Sequence, residues 1–217
     1  MRVEIKFCGL TRPEDASAAA TLGAAYVGVV FAGGPRHLDA GRASEVLSAA
    51  GAGVKRVGVF GVAEPADVAQ IARVAGLHVL QLHSDPDAEY VRRVRGEFGG
   101  VVWAVVRVAA AAGSLALRVA ELDPEVDAIV LDSLVPGQLG GTGSTFDWQL
   151  ATDAARPRKA RLVAAGGLAA HNVGEAIRVL APHVVDVSSG VESAPGIKDH
   201  QRMRAFADAV RRHDEGP

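Results

Sequence analysis

Short, almost unbroken apolar runs recur along the chain at fairly even intervals. They are Val3–Phe7, Tyr26–Phe31, Val54–Phe60, His78–Leu82, Val101–Val106, Ala128–Leu131, Arg161–Ala164 and Val184–Val187. Apolar residues that continue rather than alternate mark strands covered on both faces, as in a parallel sheet flanked by helices. Their shortness and their glycine or polar borders favour strand over buried helix. Stretches of helical period lie between them. The first opens at Thr11-Arg12-Pro13-Glu14-Asp15, where Thr11 is the expected N-cap, and stops at Gly23. The others are Ala40–Ala50, Pro65–Ala75, Pro86–Arg95, Leu115–Leu122, Phe146–Ala154, His171–Leu180 and His200–Arg212.

Regular alternation of strand and helix predicts parallel strands joined by right-handed crossovers. Eight such units can close on themselves. The expected fold is therefore a single (β/α)8 TIM barrel over residues 1–217, with residues 213–217 a frayed tail. About 27 residues per unit is near the lower limit for such barrels.

Composition narrows the function classes. Of the 217 residues, 49% are hydrophobic and 22% charged, as in a soluble globular protein with a sizeable core. The formal net charge of −2 gives no basic excess for nucleic acid. No apolar run approaches the roughly 20 residues needed to span a bilayer. The charged N-terminal stretch does not read as a signal peptide, so a cytoplasmic location is expected. A monomer is the default, with a homodimer left open.

Barrel chemistry gathers at the C-terminal ends of the strands. That directs attention to the residues just after each run. Cys8, the only cysteine, ends the first. It can form no intramolecular disulfide, and it is either a packed thiol, an incidental one or a catalytic one. Lys6 shares its face of the strand and is expected to help lower the thiol's pKa. Arg36 follows two glycines and a proline, and its guanidinium suits a carboxylate. His83 follows the fourth run as an acid, base or ligand, with no second histidine or carboxylate at metal spacing. Asp132 ends the sixth run and is either a general acid raised by desolvation or a loop cap. Asp186 is either a substrate contact or a structural partner. Gly166-Gly167 and Ser188-Ser189-Gly190 follow the seventh and eighth runs. They read either as two tight turns or as a phosphate site, which barrels commonly place after these two strands. Gly140-Gly141-Thr142-Gly143-Ser144 looks like a phosphate loop without the Walker lysine.

In this order the pieces resemble the phosphoribosylanthranilate isomerase family of tryptophan biosynthesis. The likeness runs from Lys6 to about Arg211. Its carriers are Lys6-Phe7-Cys8-Gly9-Leu10-Thr11, Gly34-Pro35-Arg36, Val57-Gly58-Val59-Phe60, Gln81-Leu82-His83, Leu131-Asp132, Gly140–Gly143 with Phe146-Asp147-Trp148, Ala165–Leu168 and Val185–Glu192. The resemblance implies a ribulose-phosphate-binding barrel, no cofactor, and an Amadori rearrangement of N-(5-phosphoribosyl)anthranilate. It implies Cys8 as general base, Asp132 as general acid and Arg36 as the holder of the anthranilate carboxylate. It also implies a phosphate site at Gly166, Gly167, Ser189 and Gly190, with Asp186 near the ribose hydroxyls and His83 beside the substrate.

Four positions depart from the usual pattern: Phe7, Gly34, Ser84, and the strand around Trp103, which lacks a lysine near its end. None removes an implied catalytic residue. A histidine-pathway isomerase would place aspartates at the ends of strands one and five, but here stand Cys8 and the Val106-Arg107 pair. Indole-glycerol-phosphate synthase would need a lysine and glutamate pair that cannot be placed. A non-catalytic sugar-phosphate-binding barrel would keep the loops but has no use for thiol, acid and arginine together.

Overall fold

The computed structural model describes residues 2–108, 112–133, 148–154 and 159–214. Eight parallel strands close into a barrel in sequence order. They are β1 (Glu4–Phe7), β2 (Tyr26–Val30), β3 (Lys55–Phe60), β4 (Val79–Leu82), β5 (Val101–Val108), β6 (Ala128–Ser133), β7 (Arg161–Ala164) and β8 (Val184–Val187). Closure is made by β1 against β8, with Lys6 opposite Asp186. The helices between them are α1 (Pro13–Thr21), α2 (Ala40–Ser48), α3 (Pro65–Ala75), α4 (Ala88–Phe98), α5 (Ala112–Leu122), α6 (Trp148–Ala154) and α7 (Val173–Leu180), with α8 (His200–Asp214) last.

The unbroken apolar runs serve two cores, because successive side chains point to opposite faces. Phe7, Val27, Val29, Leu80, Leu82, Ile129, Leu131 and Val185 face outward and pack under the helices. Tyr26, Val57, Val79, Trp103, Val105, Val130 and Val163 fill the barrel itself. Tyr26 and Trp103 meet there edge to face, 4.9 Å between centroids. Polar residues replace apolar ones only near the two mouths.

Most predicted elements match within a residue or two. Three differences have physical causes. Thr11 does not cap α1, whose N-cap is Arg12. The Thr11 hydroxyl donates instead to the carbonyl of Gly196, 2.6 Å away. β5 extends to Val108, so Arg107 lies within the strand opposite Asp132. A hairpin of β9 (Glu192–Ala194) and β10 (Ile197–Lys198) follows β8, too short and too polar for a run-based reading to find. The predicted loop Gly140–Ser144, the start of the predicted Phe146–Ala154 helix, and residues 215–217 lie outside the described residues. Among the described residues no helix is long and apolar enough to cross a membrane.

Candidate active site

A cavity of about 500 Å³ opens at the C-terminal mouth of the barrel. Cys8, Arg36, Gln81, His83, Asp132 and Asp186 line it, together with Gly166-Gly167-Leu168 and Ser188-Ser189. Eight of the nine residues singled out as site residues therefore converge. Gly190 does not line the cavity. It lies so close to the loop after β7 that a Cβ there would stand 2.0 Å from the carbonyl oxygen of Leu168. Its contribution is to press the loop after β8 onto the loop after β7. Asn172 ties down the latter, accepting from the Ala169 amide at 2.8 Å and donating to the Gly167 carbonyl at 3.0 Å.

Cys8 follows β1 directly, its amide donating to Val187 at 2.9 Å. Lys6, one inward position earlier, is wholly buried and donates to Asp186 Oδ2 at 2.5 Å. Room for both side chains comes from Gly28 on β2. A Cβ at position 28 would stand 3.1 Å from Cys8 Sγ and 3.2 Å from Lys6 Cε.

Burial pushes the Cys8 thiol above its ordinary value. The Lys6 charge pulls it down, as expected from sequence, but Asp186 opposes that pull and burial outweighs it. The net shift is therefore upward, not downward. For Lys6, burial acts to lower the pKa, and the anionic partners Asp186 and Cys8 more than reverse it.

Asp132 and His83 form the other polar wall. Burial raises Asp132 to about 6, helped by the charge of Asp186 and opposed by the Ser133 amide, which donates to Oδ1 at 2.8 Å. His83 is pulled down to about 4 by burial, then by Arg107 and Lys6. Its Nε2 lies 3.6 Å from Asp132 Oδ2, beyond a hydrogen bond. At those values the histidine is neutral wherever Asp132 is charged, so the two do not form an ion pair. Gln81 Oε1, both ring nitrogens of His83 and Asp186 Oδ1 are buried without a hydrogen-bond partner. Orphaned polar atoms around one cavity are the complement of a polar ligand.

Arg36 shows what sequence reasoning missed. The parallel grip expected on a ligand is made to the protein's own Glu192, from Nε at 2.8 Å and Nη2 at 2.7 Å. Hydrogen bonding to Glu192 raises Arg36 further. Burial works to raise Glu192, but Arg36 and Lys198 outweigh it and hold the carboxyl below its usual range. Burial lowers Lys198 in spite of Glu192. The available signal was an acid and a lysine six residues apart after the last strand, without any pattern to pair them with residue 36. Among the described residues, no cluster of three His, Cys, Asp or Glu side chains could hold a metal ion.

The comparisons agree with one another. A sequence model of the N-(5'-phosphoribosyl)anthranilate (PRA) isomerase family matches residues 5–209. N-(5'-phosphoribosyl)anthranilate isomerase of Acidithiobacillus ferrooxidans is 45% identical, over 96% of this chain and 98% of that protein. The crystal structure of phosphoribosyl anthranilate isomerase from Thermotoga maritima superposes with a TM-score of 0.84 at 34% identity, covering 96% of this chain and 98% of the other. A phosphoribosyl anthranilate isomerase in complex with reduced 1-(o-carboxyphenylamino)-1-deoxyribulose 5-phosphate superposes at 0.79 with 32% identity, covering 96% and 98%.

Proposed function

This chain belongs to the phosphoribosylanthranilate isomerase family, and we propose on that premise that Cys8 and Asp132 carry its reaction. The reaction is the Amadori rearrangement of N-(5-phosphoribosyl)anthranilate to 1-(2-carboxyphenylamino)-1-deoxyribulose 5-phosphate, in tryptophan biosynthesis. Protonated Asp132 gives its proton to the furanose ring oxygen. The C1–O bond breaks and the amine nitrogen's lone pair forms an iminium ion. Cys8, as thiolate, then takes the proton from C2, and the C2–H electrons flow into the iminium. The resulting enolamine tautomerises to the ketone. The iminium is the electron sink for the whole sequence.

The observation that carries this reading is the meeting of Cys8, Asp132 and Arg36 on one cavity. The acid and base environments also suit their tasks. Burial keeps Asp132 protonated to about pH 6, and Lys6 stands ready as counter-ion to a thiolate. Between pH 6 and the thiol's pKa, protonated acid falls tenfold per unit while thiolate rises tenfold. The population with both groups correctly protonated is then small but flat across the neutral range.

Gly166, Gly167 and Ser189 are assigned to the phosphate, Arg36 to the carboxylate, and Gln81, His83 and Asp186 to the sugar hydroxyls and amine between them. Their support is position along the cavity and, for the last three, unpartnered atoms. The direct test generates the unstable substrate in situ and follows the loss of anthranilate-type fluorescence. Purified enzyme should accelerate that loss well above the uncatalysed rate. Equal rates with and without enzyme would overturn the assignment.

A further inference from the structure

Arg36, Glu192 and Lys198 form a charged triad at the rim of the cavity. Their side chains are 16%, 5% and 0% exposed. Lys198 Nζ donates to Glu192 Oε1 at 2.8 Å and to the Ser188 carbonyl at 3.1 Å. Arg202 donates to the main-chain carbonyl of Glu192 and so holds the strand rather than the carboxylate. Only Arg36 of the three lines the cavity. Gly9 clears its path: a Cβ there would meet Arg36 Cδ at 2.6 Å.

Two features make the triad more than a structural clamp. The first is its charge. An Arg–Glu pair alone is neutral and exerts little pull on a second carboxylate. Adding a buried lysine makes the group net positive by one, where low polarity strengthens the field. The second is geometry. Glu192 occupies the Nε–Nη2 edge of the guanidinium. The Nη1–Nη2 edge remains, and a planar guanidinium can offer that edge to a further carboxylate in the same two-bond manner.

We propose that Glu192 and Lys198 are positioning residues that give this site its selectivity for a substrate whose arylamine bears a carboxylate. Glu192 turns the second edge of Arg36 toward the ligand, and Lys198 keeps the triad positive. The inference rests on the assignment of Arg36 to the substrate carboxylate. It is tested with two substrates made in situ, N-(5-phosphoribosyl)anthranilate and its aniline counterpart, which lacks the carboxylate. The readout is the ratio of their kcat/KM values.

Lys198→Met removes the third charge together with its hydrogen bond to Glu192 Oε1, while both Arg36–Glu192 bonds keep their donors and acceptors. It should lower kcat/KM for the anthranilate substrate about tenfold or more, chiefly through KM. The aniline substrate should lose far less, a small common loss being expected because the Lys198 charge also helps to lower the Cys8 thiol. Lys198→Arg should restore the preference. Glu192→Asp keeps the charge and shifts the guanidinium, and should reduce the same ratio. In an Arg36→Met background neither change should lower the ratio further. Equal losses on both substrates, or the same loss persisting without Arg36, would overturn the proposal in favour of a structural role. If Arg36→Met itself keeps the wild-type ratio, the assignment of Arg36 fails instead. If Arg36→Met loses the preference while Lys198→Met and Glu192→Asp keep it, only the triad fails.

Discussion

The two mouths of the barrel treat polar groups in opposite ways. At the N-terminal mouth most of the polar groups near the strand starts find partners within the protein, Arg56 Nε being the one buried side-chain atom there without one among the described residues. Arg161 bridges Glu4 at 2.7 Å and the Tyr26 hydroxyl at 2.9 Å. Asp127 accepts from Arg95 at 2.6 Å and from the Val102 amide at 2.8 Å. The ring of His183 accepts from the Leu162 amide at 2.9 Å. At the C-terminal mouth, Gln81, His83 and Asp186 hold four of the six buried side-chain atoms left without partners among the described residues. The strands are continuous between the two mouths, so the difference does not lie in backbone or fold. It lies in whether polar atoms have been satisfied in advance. Satisfied groups stabilise the barrel, whereas unsatisfied ones sacrifice stability and gain a ligand site.

The largest effects that test this contrast fall on the upper mouth. Cys8→Ala and Asp132→Asn should each lower turnover by about 10²- to 10⁴-fold in the fluorescence assay. Asp132→Asn should also change stability in a pH-dependent way. The folded-state pKa of about 6 stands above the ordinary carboxyl value of 3.8. The unfolded chain therefore releases this proton first, and stability is lost as pH rises between those values. Asparagine carries no such loss. The variant should melt above its parent at pH 8, and the gain should vanish near pH 3. A variant that is inactive but no more stable at pH 8 would detach function from the strain of the upper mouth.

A smaller effect concerns the thiol. Lys6 lowers the Cys8 pKa and Asp186 raises it. Lys6→Met should therefore move the alkaline limb of the kcat/KM profile up, and Asp186→Asn should move it down. Thiolate ultraviolet absorbance follows the same groups independently of turnover. Unchanged limbs in both variants would remove the buried pair from the control of the base. The smallest effect belongs to the lower mouth. Arg161 and Glu4 are each 39% exposed, so Arg161→Met should cost at most about 1 kcal/mol. Thermal unfolding should register a few degrees of loss, with kcat/KM held within about twofold. A loss of activity out of proportion to that shift would erase the distinction between the two ends.

Much of this could be read from the chain because barrel physics makes it local. Each strand buries both faces, so its run is apolar and its end is visible in the sequence. The residues after those ends were thereby marked, and Cys8, Asp132 and Arg36 do meet. What was not legible depends on pairing across long separations. Lys6 finds Asp186 across barrel closure. Arg36 finds Glu192 on a hairpin whose two strands span three and two residues. Thr11 reads locally as a cap, yet the backbone of that hairpin offers its hydroxyl a better acceptor. The Lys6 contribution to Cys8 has the expected sign, but the net shift was not legible for a related reason. A neighbouring lysine can be read from sequence, but the depth of burial that outweighs it cannot.

Gly28 carries this into the way such a chain can change over generations. It does not line the cavity, yet a side chain there would press on both the thiol and the lysine beside it, which would have to give by a few tenths of an ångström. Its role is an empty volume, which no chemical label on the residue announces. In a saturation library read out by growth without tryptophan, position 28 should tolerate only the smallest side chains. Alanine there should displace the thiol and the lysine slightly and lower activity while the catalytic atoms remain in the sequence, and larger side chains should do so more severely. The freedom of this barrel to drift is therefore limited by vacancies as well as by reactive groups.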